Sequence, residues 1–466
     1  MSYLTPDFLL QNPTGRSLYH TVAAALPIID FHNHIDPAAV ATNRAFQTIQ
    51  EAWVSGDPYK HRAMRICGVP ERLITGDAPD FEKFMTWAKC LKKTVGNPLF
   101  HWSCLELHTI FGIDAILDED NAPGIWTQAN ALLSTDAYRA RAILEKFRVE
   151  RLCTSDDLAD SLVAHQSMVD QNTSVACLPS LRGDSIVAFG QATFQPWLAT
   201  IGQQTGMTIT DLASFQMAIK QRLDFFACCG CLLADHSFDS GFQYVTTSES
   251  DASVLFANQL AGQSLTADGH MRLQSYLLYF LGQQYARRHW RMQLHIGAFR
   301  YTSTRLRNQV GGAGGFAAIG HPADIAALSR FLDDLDITDH LPKTILYTLN
   351  PADNAAFASL TGSFSADGIA GKIQFGPAWW YNDHAQGITE QLTTLAHYGL
   401  LSSAIGMTTD SRSIFSMTRH DYYRRILCNL VGGWAETGHL PNDPQPLADL
   451  IEAISYKNAK NWLSND

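Results

Sequence analysis

Eight short apolar runs, each closing on His, Asp, Arg, Asn or Trp and separated by longer helical patterns, restrict the fold of this 466-residue chain more than any other feature. They span 28–34, 149–157, 175–182, 230–236, 292–300, 344–350, 372–380 and 403–412. Such runs suit parallel strands, which lie between layers of helices and are shielded from water on both faces. The intervening segments supply the helices: in 324–335, Ile325, Leu328, Phe331 and Leu332 share one face at helical spacing. Eight alternating units predict an α/β chain folded as a (β/α)8 TIM barrel, with an open doubly wound sheet as the competing architecture. The closing residues favour the barrel. All its strand C-termini open onto one face, so His34, Asp157, Arg182, His236, Arg300, Asn350, Trp380 and Arg412 would gather there.

Three intervals, 35–148, 183–229 and 237–291, far exceed the few residues that a βα loop needs. They read as helical insertions after strands one, three and four. The first holds amphipathic stretches at 78–91 and 122–133, with aromatic residues Trp53, Tyr59, Phe100 and Trp102, and is expected to form a helical subdomain over the barrel mouth. The chain thus divides into an N-terminal segment with strand one (1–34), the insertion (35–148) and the rest of the barrel (149–466). The Gly-rich segment 311–320 lacks the Lys-Ser/Thr of a P-loop and reads as a flexible loop rather than a phosphate cradle.

Composition narrows the partners. Apolar residues at 46% and charged ones at 17% describe a folded soluble protein rather than a disordered one. A net charge of −11, with no run of five basic residues, argues against nucleic acid and anionic membranes as partners. The first eight residues show no basic region followed by an apolar stretch, and no apolar run reaches about 18 residues, so a cytoplasmic location is expected. Nine cysteines without a repeated framework fit reduced thiols. Cys228, Cys229 and Cys231 have no second pair at zinc-ribbon spacing and read as ordinary buried thiols.

The chemistry begins at Asp30-Phe31-His32-Asn33-His34, where two histidines two residues apart on a strand project to one face and could bind one cation. Asp410, at the mouth end of strand eight, would neighbour strand one once a barrel closes and could be the third ligand. A helix cap would also explain an aspartate there. His295, on strand five, is either a further ligand or an acid/base group.

His-x-His on strand one, His on strand five and Asp on strand eight together resemble the amidohydrolase superfamily. Strand four offers no bridging Lys and strand six ends in Leu349-Asn350-Pro351 rather than His, which favours one divalent metal over two. Within that superfamily the whole chain resembles the uronate isomerase (glucuronate isomerase) family. The resemblance rests on Tyr59-Lys60-His61-Arg62-Ala63-Met64-Arg65, Gly96-Asn97-Pro98-Leu99-Phe100-His101-Trp102, Leu178-Pro179-Ser180-Leu181-Arg182, Trp379-Trp380-Tyr381-Asn382-Asp383 and Thr409-Asp410-Ser411-Arg412-Ser413, among other segments. Two positions depart: Pro58 stands where the family usually has His, and Leu181 where it has Trp.

The resemblance implies interconversion of D-glucuronate with D-fructuronate and of D-galacturonate with D-tagaturonate, by proton transfer between C2 and C1 through an enediol or enediolate. It implies zinc as the metal, held by His32, His34 and Asp410. Arg182 suits the substrate carboxylate because its planar fork can donate two parallel hydrogen bonds; a structural ion pair is the other explanation. Asp410, Arg412 and His295 are the catalytic candidates, Arg412 being suited to developing negative charge. Tyr59, Trp379 and Trp380 would line the substrate site, or else pack in the core. A mononuclear metal hydrolase or deaminase would use the same ligands, and a non-catalytic sugar-acid binding barrel would not need Asp410 and Arg412 together. A small hexuronate is the expected partner, and the chain is expected to form a homo-oligomer.

Overall fold

Parallel strands carry seven of the eight apolar runs in a computed structural model that describes residues 3–464. Met1 and Ser2 of the N-terminal segment, with Asn465 and Asp466 of the last one, lie outside the described residues. The strands are β1 (Ile28–Asp30), β2 (Val149–Cys153), β3 (Asp156–Asp157), β4 (Ala176–Leu178), β5 (Leu181–Arg182), β6 (Leu233–Asp239), β7 (Arg291–Phe299), β8 (Ala318–Ile319), β9 (Thr344–Thr348) and β10 (Ile373–Phe375). One sheet runs β1-β2-β4 and the other β10-β9-β7-β6-β5-β3, with every one of these pairs parallel. β8 adds to β7 as a short antiparallel flap.

The two sheets share chain runs. β2 and β3 are successive parts of one run, as are β4 and β5, with Pro179 removing a backbone donor where the second run breaks. Backbone bonds from Thr154 to Leu178 (3.1 Å) and from Asp156 to Ser180 (2.8 Å) continue the pairing across the gap.

The architecture is thus mixed α/β with parallel sheets, and the closed eight-stranded ladder expected from the sequence is not formed among the described residues. Run 403–412 is the one that yields no strand. Gly406 and Asp410 take φ of 81° and 44°, left-handed values that an extended ladder cannot hold. Two backbone bonds nevertheless tie this run to the first, Asp410 N to His32 O at 3.1 Å and His34 N to Ser411 O at 2.9 Å.

A small core lies among the strands, where Phe31, Leu233, Ile345, Tyr347 and Ile405 pack with Trp462 and Leu463 from the C-terminal end of the chain. A larger core joins the sheets to the surrounding helices. Helix Ile325–Asp336 buries Leu328, Phe331 and Leu332 as its spacing predicts, and Asp324 caps it through Ala327 N. Helix Ala122–Leu133 has the expected bounds, whereas Asp80–Leu91 starts two residues late because Pro79 disfavours a helical Ala78.

All three long intervals are helical; 183–229 contains Phe194–Thr205 and Leu212–Cys228, and 237–291 contains Glu249–Leu260 and Ala267–Arg287. All nine cysteines are free thiols. Cys231 is buried, but Cys228 is exposed and Cys229 half-buried where helix Leu212–Cys228 ends, which corrects the expectation of three buried thiols. No helix among the described residues is long and apolar enough to cross a membrane.

Candidate active site

Buried Asp30 joins the first and last runs. Its carboxylate accepts from Thr408 Oγ1 (2.7 Å), Thr409 N (2.9 Å) and Thr409 Oγ1 (2.6 Å), so the chain after β1 lies alongside 408–410. Burial pushes the Asp30 carboxyl above its ordinary range despite these donors. The consequence is register: His32, His34 and Asp410 meet.

Asp410 Oδ1 lies 3.3 Å from His32 Nε2 and 3.0 Å from His34 Nε2. Its Oδ2 accepts indole N–H groups from Trp379 (2.7 Å) and Trp380 (2.6 Å). Burial alone would raise this carboxyl, but the hydrogen bonds from His32 and His34 prevail and hold it well below the usual carboxylate range. Asp410 is therefore an anion with both oxygens engaged.

Behind these groups, His295 stacks on Tyr347 with ring centroids 4.2 Å apart and planes within 2°, and lies 4.6 Å from the His32 ring. Tyr347 is fixed by donating to Gln293 Oε1 at 2.7 Å. Burial drives His295 well below its ordinary pKa, leaving a neutral imidazole with a lone pair to offer. Asp235 on β6 completes a second grouping, and its Oδ1 accepts from Ser155 Oγ at 3.1 Å.

These residues fit a metal. One ligand atom each from His32, His34 and Asp410 lie within 4.8 Å of one another, and the same holds for His32, Asp235 and His295. A neutral imidazole has a single free lone pair, so the two groupings compete for His32, which suits one ion with a choice of ligands. Nitrogen and carboxylate donors match a borderline divalent cation.

A cavity of 230 Å³ opens in front of this cluster. Of the residues singled out by sequence, His34, Tyr59, Arg182, Trp380, Asp410 and Arg412 line it. His32, His295 and Trp379 are not on its wall but buried beneath, in contact with one another or with Asp410. Arg182 Nε and Nη2 each lie 2.9 Å from Asp184 Oδ2, and Nη1 is 4.0 Å from Asp235. Arg412 is exposed at the rim.

Helix Pro58–Ile66 delivers Tyr59. Asp57 caps it, accepting from Tyr59 N (2.8 Å) and Lys60 N (3.2 Å), and Pro58 occupies the first turn, where its missing N–H costs nothing. Burial pushes the Tyr59 phenol well above its ordinary value, so it stays protonated.

Besides Asp57 on the cavity wall, two participants escaped the sequence reading of roles. Arg300 lines the cavity, 3.1 Å from Asp239 and with its guanidinium 5.0 Å from the centre of the Trp380 ring. Asp235 joins His32 and His295 in a grouping that could hold a metal ion. Both were visible as polar residues at or near the end of an apolar run, but neither belongs to a spaced motif.

The glucuronate isomerase family profile matches residues 1–463. The chain belongs to that family. It is 44% identical to the uronate isomerase of Bacillus licheniformis over 461 residues, 99% of this chain and 97% of that one. Against the uronate isomerase of Salmonella arizonae the identity is 43% over 466 residues, 99% of each. Among solved structures, the uronate isomerase of Thermotoga maritima superposes with a TM-score of 0.94 at 29% identity, covering all of both chains. The glucuronate isomerase of Caulobacter crescentus, at 23% identity, gives 0.92 over 99% of this chain and 96% of that one, a likeness of fold.

Proposed function

We propose that the chain is a uronate isomerase interconverting D-glucuronate with D-fructuronate and D-galacturonate with D-tagaturonate, with one divalent metal, zinc by preference. The observation that carries this reading is that Asp410, His34, Arg182, Arg300, Arg412 and Tyr59 all line one 230 Å³ cavity. An aldose-to-ketose transfer on a sugar acid needs a carboxylate holder, a proton carrier and stabilisation of an enediolate.

His32, His34 and Asp410 hold the metal in this reading, with His295 and Asp235 as further donors. Bound there, a divalent ion supplies Lewis acidity toward the substrate oxygens. Arg182 grips the carboxylate of the open-chain hexuronate, and Arg412 faces the charge that develops on the enediolate oxygens. Asp57 and Asp410 are the carboxylates on the cavity wall, and so the candidates for the proton that moves between C2 and C1. Both have each oxygen engaged, Asp410 by His32, His34, Trp379 and Trp380 and Asp57 by Tyr59 N, Lys60 N and Lys60 Nζ, so it is the nearness of His32 and His34 that assigns Asp410 to the metal. Protonated Tyr59 donates to the substrate oxygens.

The same reading treats run 403–412 as the eighth staves of a barrel whose ladder is locally interrupted, with residues 35–148 as its helical cover. The two backbone bonds between that run and the first support this. It also places the protein in the cytoplasm as a homo-oligomer, to be checked by fractionation and light scattering.

A hydrolase would share the metal ligands, but several arginines around one small cavity favour a substrate that keeps its carboxylate. The test is incubation with D-glucuronate and D-galacturonate in D₂O, in metal-loaded and chelator-treated protein. The expected results are the ketose product, deuterium at C2 in recovered aldose, and loss of turnover on chelation that zinc restores. Ester or amide hydrolysis without uronate turnover would reject the isomerase.

A further inference from the structure

Arg419 lies on helix Thr418–Glu436 with 1% of its surface exposed, outside the cavity, yet it meets the backbone next to Asp410 and the rings of Trp102 and Tyr59. Its Nη1 donates to the carbonyl of Thr409 at 3.1 Å, and the same atom is 3.6 Å from Asp383 Oδ2. Its guanidinium carbon sits 3.9 Å from the centre of the Trp102 ring and 5.4 Å from that of Tyr59. Trp102 in turn meets Tyr59 edge-on, with centroids 6.0 Å apart.

The Thr409 carbonyl belongs to the peptide unit that ends at Asp410 N. The other end of that unit donates to His32 O at 3.1 Å. A peptide plane held at both its oxygen and its hydrogen cannot rotate, and rotation of this plane is what would change the φ of Asp410. That angle is 44°, a left-handed value that a non-glycine residue keeps only when its surroundings enforce it.

The opposite side of Arg419 meets the insertion. Asp57 and Glu106 lie on either side of buried Lys60, whose Nζ is 2.6 Å from Asp57 Oδ2 and 3.6 Å from Glu106 Oε2. Glu106 also accepts from Trp53 Nε1 at 2.5 Å. Buried charges of this density are weak contributors to stability, so their use is better sought in fixing geometry.

We propose that Arg419 is a positioning residue for the reaction, holding the Thr409–Asp410 peptide and the Trp102–Tyr59 pair at once, so that the metal-ligand carboxylate and the phenol face the cavity in fixed register. The inference rests on the isomerase reading above for its consequence, and on Asp410 as a metal ligand for its readout. Lys cannot reproduce it: an ammonium group placed where Nη1 stands would lack the flat guanidinium face that lies over the Trp102 ring.

The test compares the full-length parent with R419K and with D383N, in which Arg419 keeps its charge but loses its ionic partner. Zinc affinity is read by competition with a chromophoric chelator, and uronate turnover is read separately as kcat and KM. The expectation for folded R419K is zinc affinity and kcat each lowered about tenfold or more, with KM within about threefold, and for D383N a smaller loss in the same two quantities. Where R419K does not fold, D383N decides.

Zinc affinity and kcat within twofold of the parent in the deciding variant overturn the proposal, as does a fall in melting temperature with neither quantity changed. The two readings fail separately. A parent that binds zinc but turns over no uronate rejects the isomerase, while weaker zinc binding in the variant still supports Arg419 as the residue that sets Asp410.

Discussion

Trp380 donates its indole N–H to Asp410 Oδ2 at 2.6 Å, on the opposite oxygen from the one facing His32 and His34. A carboxylate held through Oδ2 turns its Oδ1 toward the two histidines. Substituting Trp380→Phe keeps an aromatic ring under the Arg300 guanidinium but deletes the donor, leaving only Trp379 on that oxygen. Loss of an outer hydrogen bond of this kind costs about 10-fold to 100-fold in metal affinity. Chelator competition should read that loss, with kcat falling in parallel. Unchanged zinc affinity in the Phe variant would show that the indole serves only as a wall.

Arg182 tests the carboxylate holder. Arg182 pairs with Asp184 and has no hydrogen bond to His32, His34 or Asp410 among the described residues, so in the proposed site Arg182→Ala should lower uronate handling far more than metal content. Charge-assisted hydrogen bonds are worth about 1.5 to 3 kcal/mol, so KM for uronate should rise ~10-fold to 100-fold. Parent-level KM in R182A would assign Arg182 to a structural pair with Asp184, and direct attention to Arg300 or Arg412 for the carboxylate.

The Gly-rich segment gives a prediction through its backbone. Arg62 Nη1 donates to the carbonyls of Gly315 (3.3 Å) and Ala317 (2.9 Å), and Arg65 to that of Gly314, so the segment is clamped to helix Pro58–Ile66. Gly315 has φ of 79°, and a Cβ there would stand 2.2 Å from Pro58 O. Gly315→Ala must therefore push the loop off the helix that carries Tyr59. We expect KM to rise several-fold and stability to fall by roughly 1 to 3 kcal/mol, read by initial rates and urea unfolding. Parent values for both would mean that the loop can shift without touching the site.

Legibility in the sequence followed the range of the interactions. His32, His34 and Asp410 could be paired from afar because strand ends of an α/β sheet converge, and that rule needs no knowledge of loops. His295 could be placed on a strand, but not beneath the wall, since its depth depends on packing against Tyr347 and Trp379 from two other runs. The loop at 311–320 reads as flexible from composition, yet Arg62 and Arg65, some 250 residues earlier, hold it. The ion contact of Lys60 with Glu106 was equally hidden, because nothing local marks a buried lysine that meets its second acid on another helix. The eighth run looked like an ordinary strand because alternation does not reveal the positive φ of Asp410.

A pH dependence of stability follows from the buried pair Asp156 and His165. Thr154 Oγ1 lies 2.7 Å from Asp156 Oδ2 and 2.8 Å from His165 Nε2. Burial pushes the Asp156 carboxyl up to about 7 and the His165 imidazole down to about 4. The folded state thus holds a proton on Asp156 that the unfolded chain releases near pH ~4, so this contribution is complete at acid pH and is lost as pH rises toward about 7. For His165 the sign is opposite: its contribution is present above the unfolded value and is lost as pH falls toward about 4. Between these limits the two slopes oppose each other in the parent. Asp156→Asn removes the descending one, so its stability relative to the parent should climb with pH by up to ~1.4 kcal/mol per unit from pH ~4 to ~7 and then level off. Urea unfolding at a series of pH values measures this difference directly. A constant offset between the two proteins across that range would mean that Asp156 titrates alike in the folded and unfolded states, and that burial does not hold its proton.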